Sequence, residues 1–462
     1  MPDPPNPTRS EIAATQLEQL RSLVAELFPG NQFYARKLNA AGITFDVASL
    51  EDFSAHFPFT TKAELAADQL TNPPFGANLT YPLERYTRYH QTSGTSGAPL
   101  RWLDTPESWD GLVESWTQVF QAAGVQPADR VYFAFSFGPF IGFWLAFESA
   151  TRLGCLCVPG GGLSSVARLR AILDNGVTVL CCTPTYALRL AEAAAREKIS
   201  LNNSPVQTLI VAGEPGGSIP AVRARLEELW TGARVFDHHG MTEVGPVTYQ
   251  CPARPGVLHV IESAYYAEII QPGSPDPVQP GQTGELVLTT LARTGSPVLR
   301  YRTGDLVKLA HQTVIAKGLA TIPLPFRRGE GRGEGSVSSP AFDPQPCSCG
   351  RHELALEGGI LGRTDDMIVV RGVNVYPSAV EELVRACGGV SEYRAEITRA
   401  GALSELTLQI EPAPDCADPA SLVRQLETNF QSALALRVPI QLVPPGTLPR
   451  FEMKASRWVL RH

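Results

Sequence analysis

The stretch TSGTSGAP at residues 92–99 (Thr92, Ser93, Gly94, Thr95, Ser96, Gly97, Ala98, Pro99) has the composition of a linker. Runs of glycine, serine and threonine are usually solvated and flexible. The same residues also suit an anion cradle, in which backbone N–H groups and hydroxyls turn inward on phosphate oxygens. The stretch lacks the G-x-x-x-x-G-K-[ST] pattern of a P-loop. No G-x-S-x-G elbow occurs in the chain either, which argues against a serine hydrolase. Which reading holds depends on what surrounds the loop.

The chain has 462 residues, 44% of them hydrophobic and 18% charged. That is enough material for a large core split between domains. A formal net charge of −7 lacks the basic face that a nucleic-acid or membrane-surface binder needs. No apolar run reaches the length of a membrane span. Prolines occupy the N-terminal MPDPPNPTRSEIAA where a signal peptide would place its apolar segment, so the expectation is a cytoplasmic protein. Nine cysteines, an odd number in a long chain, are not a disulfide framework. Cys155, Cys157, Cys181 and Cys182 sit in apolar runs and read as small buried hydrophobes.

Outward from the loop the pattern is α/β. Leu17, Leu20, Val24 and Leu27 recur at helical spacing after a Thr8/Glu11 capping-box pair. VYFAF (131–135), TVLCCTP (178–184) and TLIVAGE (208–214) read as buried parallel strands, with helices over 164–174 and 185–197 between them. GELVLTTL (284–291) alternates like an antiparallel or barrel strand. The expected large domain therefore spans 1–362, with parallel α/β sheet and a barrel-like β portion. Within it, about 313–345 carries proline, glycine, serine and a tandem RGEG repeat, and reads as a disordered insertion. A small mobile α+β domain is expected over 363–462: a strand-like DMIVVRGV, a helix PSAVEELVRAC, a strand ELTLQI and a helix LVRQLETNFQSAL.

Short polar islands stand at the apparent strand ends: HHGMTEVGP (238–246), YRTGDL (301–306), GRTDDMIVVRGVNVYP (362–377) and LPRFEMKASR (448–457). In this order, with the loop at 92–99, they resemble the adenylate-forming superfamily of acyl-CoA synthetases, adenylation domains and luciferases. PFTTKAEL (58–65), TPTYAL (183–188), AGEP (212–215) and CSCGR (347–351) resemble the phenylacetate–coenzyme A ligase branch. The resemblance implies a two-step ligase. A carboxylic acid and ATP give an acyl-adenylate and pyrophosphate, and a thiol, usually coenzyme A, then displaces AMP.

It also implies site residues. Thr92, Ser93, Gly94, Thr95, Ser96 and Gly97 would cradle the β- and γ-phosphates. Gly213, Glu214 and Pro215, with His238, His239, Gly240, Met241 and Thr242, would line the adenylate. Thr242 would hydrogen-bond the α-phosphate or the carboxylate, and Glu243 would hold Mg²⁺. Asp305, acceptor-only when ionised, suits the ribose hydroxyls, and Arg363 would reach ribose or phosphate. Lys454 would stabilise the charge developing between carboxylate and α-phosphate. Asp365 or Asp366 would be the hinge for a domain rotation that withdraws Lys454 and brings Arg371, Gly372, Val373 and Asn374 to line a coenzyme A tunnel.

Residue types suggest an acyl pocket from Phe137, Phe140 and Trp144, with Gly160–Gly162 and Gly213 leaving room for a flat aryl or arylacetic acid. Cys251, His259, Cys347 and Cys349 match a closed structural Zn²⁺ site, and some members of the branch have equivalent ligands. Three positions depart from the family pattern. Ala98 replaces a frequent loop cation, for which Arg101 could compensate. His239 replaces an adenine-stacking aromatic, and Met453 replaces a glycine. Transfer to a carrier-protein thiol or an amine, a catalytically silent acyl-AMP-binding module, and a homodimer are left open; no nucleic acid or membrane partner is expected.

Overall fold

The computed structural model describes residues 6–43, 46–92, 99–311, 346–371, 373–400, 403–451 and 456–461. The expected insertion at 313–345 lies outside them, as do Ser93–Ala98, Gly372, Met453 and Lys454. Five parallel strands, in the order Leu156–Pro159, Arg130–Phe133, Val179–Cys182, Thr208–Val211 and Arg234–Asp237, form the first sheet. The central three are apolar on both faces because helices cover both. Val131, Phe133, Cys181, Ile210 and Phe236 point into one core, and Tyr132, Leu180, Cys182, Leu209 and Val235 into the other. Cys155, Cys181 and Cys182 are buried, and Cys157 half-buried. Helices at Ser165–Asp174 and Pro184–Arg196 begin on serine and threonine caps. Thr8 and Glu11 form a reciprocal capping box on the 22-residue helix Arg9–Gly30, as Thr61 and Glu64 do on Lys62–Thr71.

A six-stranded antiparallel sheet follows, ordered Thr248–Gln250, Val257–Val260, Ala355–Arg363, Tyr301–Leu309, Thr283–Thr290 and Tyr265–Ile270. Its last strand in the sequence ends at Arg363, and a turn through Asp365 and Asp366 leads away from it. Beyond that turn lies a separate core built from Val370, Val380, Ala395, Leu408, Leu426 and Phe430, among others. Helices Pro377–Ala386 and Pro419–Leu434 pack there on a four-stranded mixed sheet. The stretch DMIVVRGV, expected as one strand, is a hairpin: Ile368–Val370 pairs antiparallel with Val373–Val375, and the chain turns at Arg371. Among the described residues no helix is long and apolar enough to cross a membrane.

Candidate active site

In the sequence, 92–99 joins two paired antiparallel strands, Arg88–Gln91 and Arg101–Asp104. Thr92 closes its base: its N–H donates to the Leu100 carbonyl at 2.9 Å, and its hydroxyl accepts from Leu100 N at 3.0 Å. A buried ion pair fixes the far end of the hairpin. Arg293 forks onto both oxygens of Asp104 at 2.6 Å and donates to the Thr242 carbonyl at 2.8 Å. One guanidinium thus ties the phosphate-loop hairpin to the HHGMTEVGP turn. Arg101 is committed elsewhere, donating to the Pro74 carbonyl at 2.8 Å.

Asp305 sits on strand Tyr301–Leu309, directly opposite Arg363 on the neighbouring strand. Gly304 holds a φ of +77° there, a left-handed conformation that favours glycine. Arg363 Nη1 stands 3.2 Å from Asp305 Oδ1, and the same guanidinium forks onto Asp365 at 2.8 and 3.1 Å. His239 Nε2 lies 3.1 Å from Asp305 Oδ2. The two are not aligned as a hydrogen bond, and both atoms are buried without one among the described residues. A buried carboxylate oxygen in that condition is an acceptor lacking donors, and ribose hydroxyls are donors of the right kind. His239 thus presents its ring edge to Asp305.

Glu243 is only 5% exposed. Its Oε1 is 3.4 Å from Lys62 Nζ and 3.5 Å from the Tyr301 hydroxyl. Burial first, and then the Glu243 charge, push the Tyr301 phenol far up, so it stays neutral. Lys62 was not singled out by sequence reasoning, although it lies inside PFTTKAEL. It is the cation that the fold brings to the magnesium-binding candidate, whereas Ala98 offers none. Gly240 allows the turn its close approach, since a Cβ there would meet the Gly245 carbonyl oxygen at 2.7 Å.

Glu214 Oε1 accepts from Thr185 N at 2.8 Å, at the first turn of helix Pro184–Arg196. Arg371 is engaged within the small domain, pairing with Glu405 at 2.8 Å. Phe137, Phe140 and Trp144 belong to one aromatic belt with Phe135, Phe143 and Phe147. Phe135 stacks on Phe143 at 4.1 Å, and Phe137 meets the Trp144 ring edge-on at 5.0 Å. All except Trp144 are half-buried; Trp144 is exposed and donates to the Gly138 carbonyl at 2.9 Å. Helix Ile141–Leu153, which carries part of this belt, packs against the Gly240–Met241 and Gly245–Pro246 hairpin.

Cys251, His259, Cys347 and Cys349 come together with all four ligand atoms within 4.8 Å of one another. Cys251 Sγ and Cys347 Sγ are 3.7 Å apart, and Cys349 Sγ is 3.4 Å from His259 Nε2. The edges of a Zn²⁺ tetrahedron with sulfur and nitrogen ligands are about 3.5–3.8 Å. Burial and the neighbouring sulfurs push the Cys349 thiol up to about 12, a condition that a bound dication reverses. The donor set and its spacing fit zinc.

Asp305 and Arg363 face each other on the antiparallel sheet, and the buried Glu243 stands beside Lys62; charged groups of these kinds suit an adenylate-forming enzyme. Residues 92–292 match the family model described as AMP-binding enzyme, and 372–460 match its C-terminal domain. The phenylacetate–coenzyme A ligase of Thermus thermophilus is 29% identical over 98% of this chain and 97% of its own. The chain belongs to the AMP-binding enzymes, in the phenylacetate–coenzyme A ligase branch, and is an ATP-dependent, AMP-forming ligase. A crystal structure of 2-hydroxyisobutyryl-CoA ligase in the postadenylation state, with an acyl-AMP, superposes with a TM-score of 0.86 at 28% identity, over 99% of this chain and 91% of that one. The same ligase in its thioesterification state, with acyl-AMP and CoA, gives 0.68 at 29% identity, over 98% and 90%. The chain thus superposes more fully on the postadenylation-state structure than on the thioesterification-state one.

Proposed function

We propose that the protein joins an aryl or arylacetic acid to coenzyme A through an acyl-adenylate. The observation that carries this reading is the half-buried aromatic belt, packed by its helix against the Gly240–Met241 hairpin and so two residues from Glu243. It offers a flat apolar wall where the acyl group leaves the α-phosphate. In the first step a carboxylate oxygen attacks the α-phosphorus and pyrophosphate departs. Asp305 and Arg363 hold the ribose end, while the 92–97 loop and Lys62 receive the charge that builds on the leaving group. Glu243 would hold Mg²⁺, whose charge would offset that of the β- and γ-phosphates. In the second step the thiolate attacks the acyl carbonyl carbon and AMP leaves, after a rotation about Asp365–Asp366 has withdrawn Lys454 and brought up Arg371–Asn374.

Pyrophosphate release, screened across aryl, arylacetic and fatty acids with and without coenzyme A, tests this. Release with aryl acids and accumulation of the CoA thioester are expected. Release without thioester would instead indicate a carrier-protein thiol or an amine as acceptor, and no release with any acid would mean a silent binding module. Zinc at Cys251, His259, Cys347 and Cys349 would tie the stretch Cys347–Cys349, just past the 312–345 segment, to the antiparallel sheet. Elemental analysis is expected to find one zinc per chain. Cys349→Ala is expected to lower the melting temperature by about 5 °C or more, the shift for a loss of a few kcal/mol. Zinc-free protein with unchanged melting in the variant would sink the assignment.

A further inference from the structure

On strand Arg234–Asp237 side chains alternate between the two faces of the sheet. Phe236 enters one core and Val235 the other, so His238 comes round to the Phe236 side. There it meets Trp116 of helix Pro106–Ala122, the ring centroids 4.3 Å apart with the planes at 73°. The pair stands where the adenylate residues begin: His239 follows His238, and Met241, Thr242 and Glu243 come next. The helix carrying Trp116 packs beside helix Ile141–Leu153 of the aromatic belt, and both touch the Gly245–Pro246 strand.

Each ring carries an unmet hydrogen-bonding atom. Trp116 is 7% exposed, and its Nε1 is buried with no hydrogen-bond partner among the described residues. An indole N–H left so loses the hydrogen bond it would make in water. His238 is 3% exposed, and its Nδ1 lies 2.8 Å from the Thr248 carbonyl oxygen. A carbonyl only accepts, so Nδ1 carries the hydrogen. Burial pushes the imidazole down to about 4, which keeps the ring neutral. Nε2 is therefore a bare acceptor, without a partner among the described residues. Two rings in contact thus carry a donor and an acceptor without protein partners among the described residues, and a hydroxyl is the smallest group that answers both.

We infer that Trp116 and His238 form a polar floor to the acyl pocket and select an acid that carries a hydroxyl group. This rests on the ligase reading proposed above. The substrate oxygen accepts from Trp116 Nε1, and its hydrogen is donated to His238 Nε2. An acid without the hydroxyl leaves both protein groups unmet, a mismatch that sites of this kind penalise strongly.

The test compares kcat/KM for pyrophosphate release with phenylacetate, its 2-, 3- and 4-hydroxy derivatives, and the matching methyl derivatives. One hydroxy isomer is expected to exceed its methyl counterpart by at least about tenfold. Trp116→Phe and His238→Leu are each expected to bring that ratio towards one. The ratio is taken within one preparation, so loss of folded protein cancels, and the wild-type comparison needs no variant at all. Equal kcat/KM across every pair would overturn the inference and leave the ligase reading intact, with the floor then bridged by water alone. A hydroxyl preference that survives both substitutions would overturn the assignment to these two residues. Absence of pyrophosphate release with every acid tried would overturn the ligase reading and this inference with it.

Discussion

Replacing Lys454 with alanine is expected to slow acyl-adenylate formation by about 10²–10³-fold, the range for removing one preorganised donor from a developing charge. Conversion of supplied acyl-adenylate to thioester should change by less than about threefold, because the domain rotation proposed above withdraws Lys454 before that step. The structure gives this split a basis in the residues on either side. Arg450 Nη2 lies 2.7 Å from Glu411 within the small domain, and its Nε lies 3.4 Å from Glu192 on helix Pro184–Arg196 of the large one. Arg457 bonds Glu392 at 2.6 Å and Glu381 at 3.2 Å, and reaches the Thr185 hydroxyl at 3.5 Å. Two arginines that flank Lys454 therefore both bridge to one helix of the large domain. That helix begins two residues before Tyr186, and its first turn is held by Glu214 of the AGEP stretch. The residues on either side of 452–455 are thus held against one helix of the large domain. Single-turnover assays of the two half-reactions decide the matter. Equal loss in both would refute a lysine that serves adenylation alone.

Legibility varied with the range of the interaction. Local signals read directly: the Thr8/Glu11 box, the apolar runs that became parallel strands, and the alternating GELVLTTL that became antiparallel strand Thr283–Thr290. Each depends on neighbours within one or two turns. The hairpin at Ile368–Val375 was less legible, because an apolar run does not show where it doubles back. Arg371, at φ +48°, stands at the reversal. In the site, Asp305 and Glu243 stood out through motifs. Lys62, Arg293 and Trp116 did not, since each acts through partners between 51 and 189 positions away. The pairing of His238 with Trp116 is likewise set by the packing of one helix on one sheet edge, which no spacing records.

Arg293→Met is expected to destabilise the protein by about 3–5 kcal/mol, because it strands the Asp104 carboxylate in the core. Neither side chain of the pair is more than 1% exposed, and the guanidinium also lies over the Trp102 ring at 5.3 Å. His90 cannot take over: its Nδ1 stands 4.0 Å from Asp104, and burial pushes its imidazole down to about 4, so it is neutral at physiological pH. Removing both charges is a different perturbation. Arg293→Met combined with Asp104→Leu should recover most of the lost stability, since an apolar pair of similar volume avoids the desolvation that an unpaired ion suffers. ATP binding should not recover with it. The link from the loop hairpin to the Thr242 carbonyl runs through the guanidinium, so the double variant is expected to keep an ATP KM raised by about tenfold, as a misplaced phosphate cradle implies. Urea midpoints and the KM for ATP, measured on the single and double variants, separate the two roles. A single variant that loses less than about 1 kcal/mol would show that the pair is not the buried anchor its geometry describes. A double variant with wild-type KM would show that Arg293 holds the core together without positioning the phosphate loop.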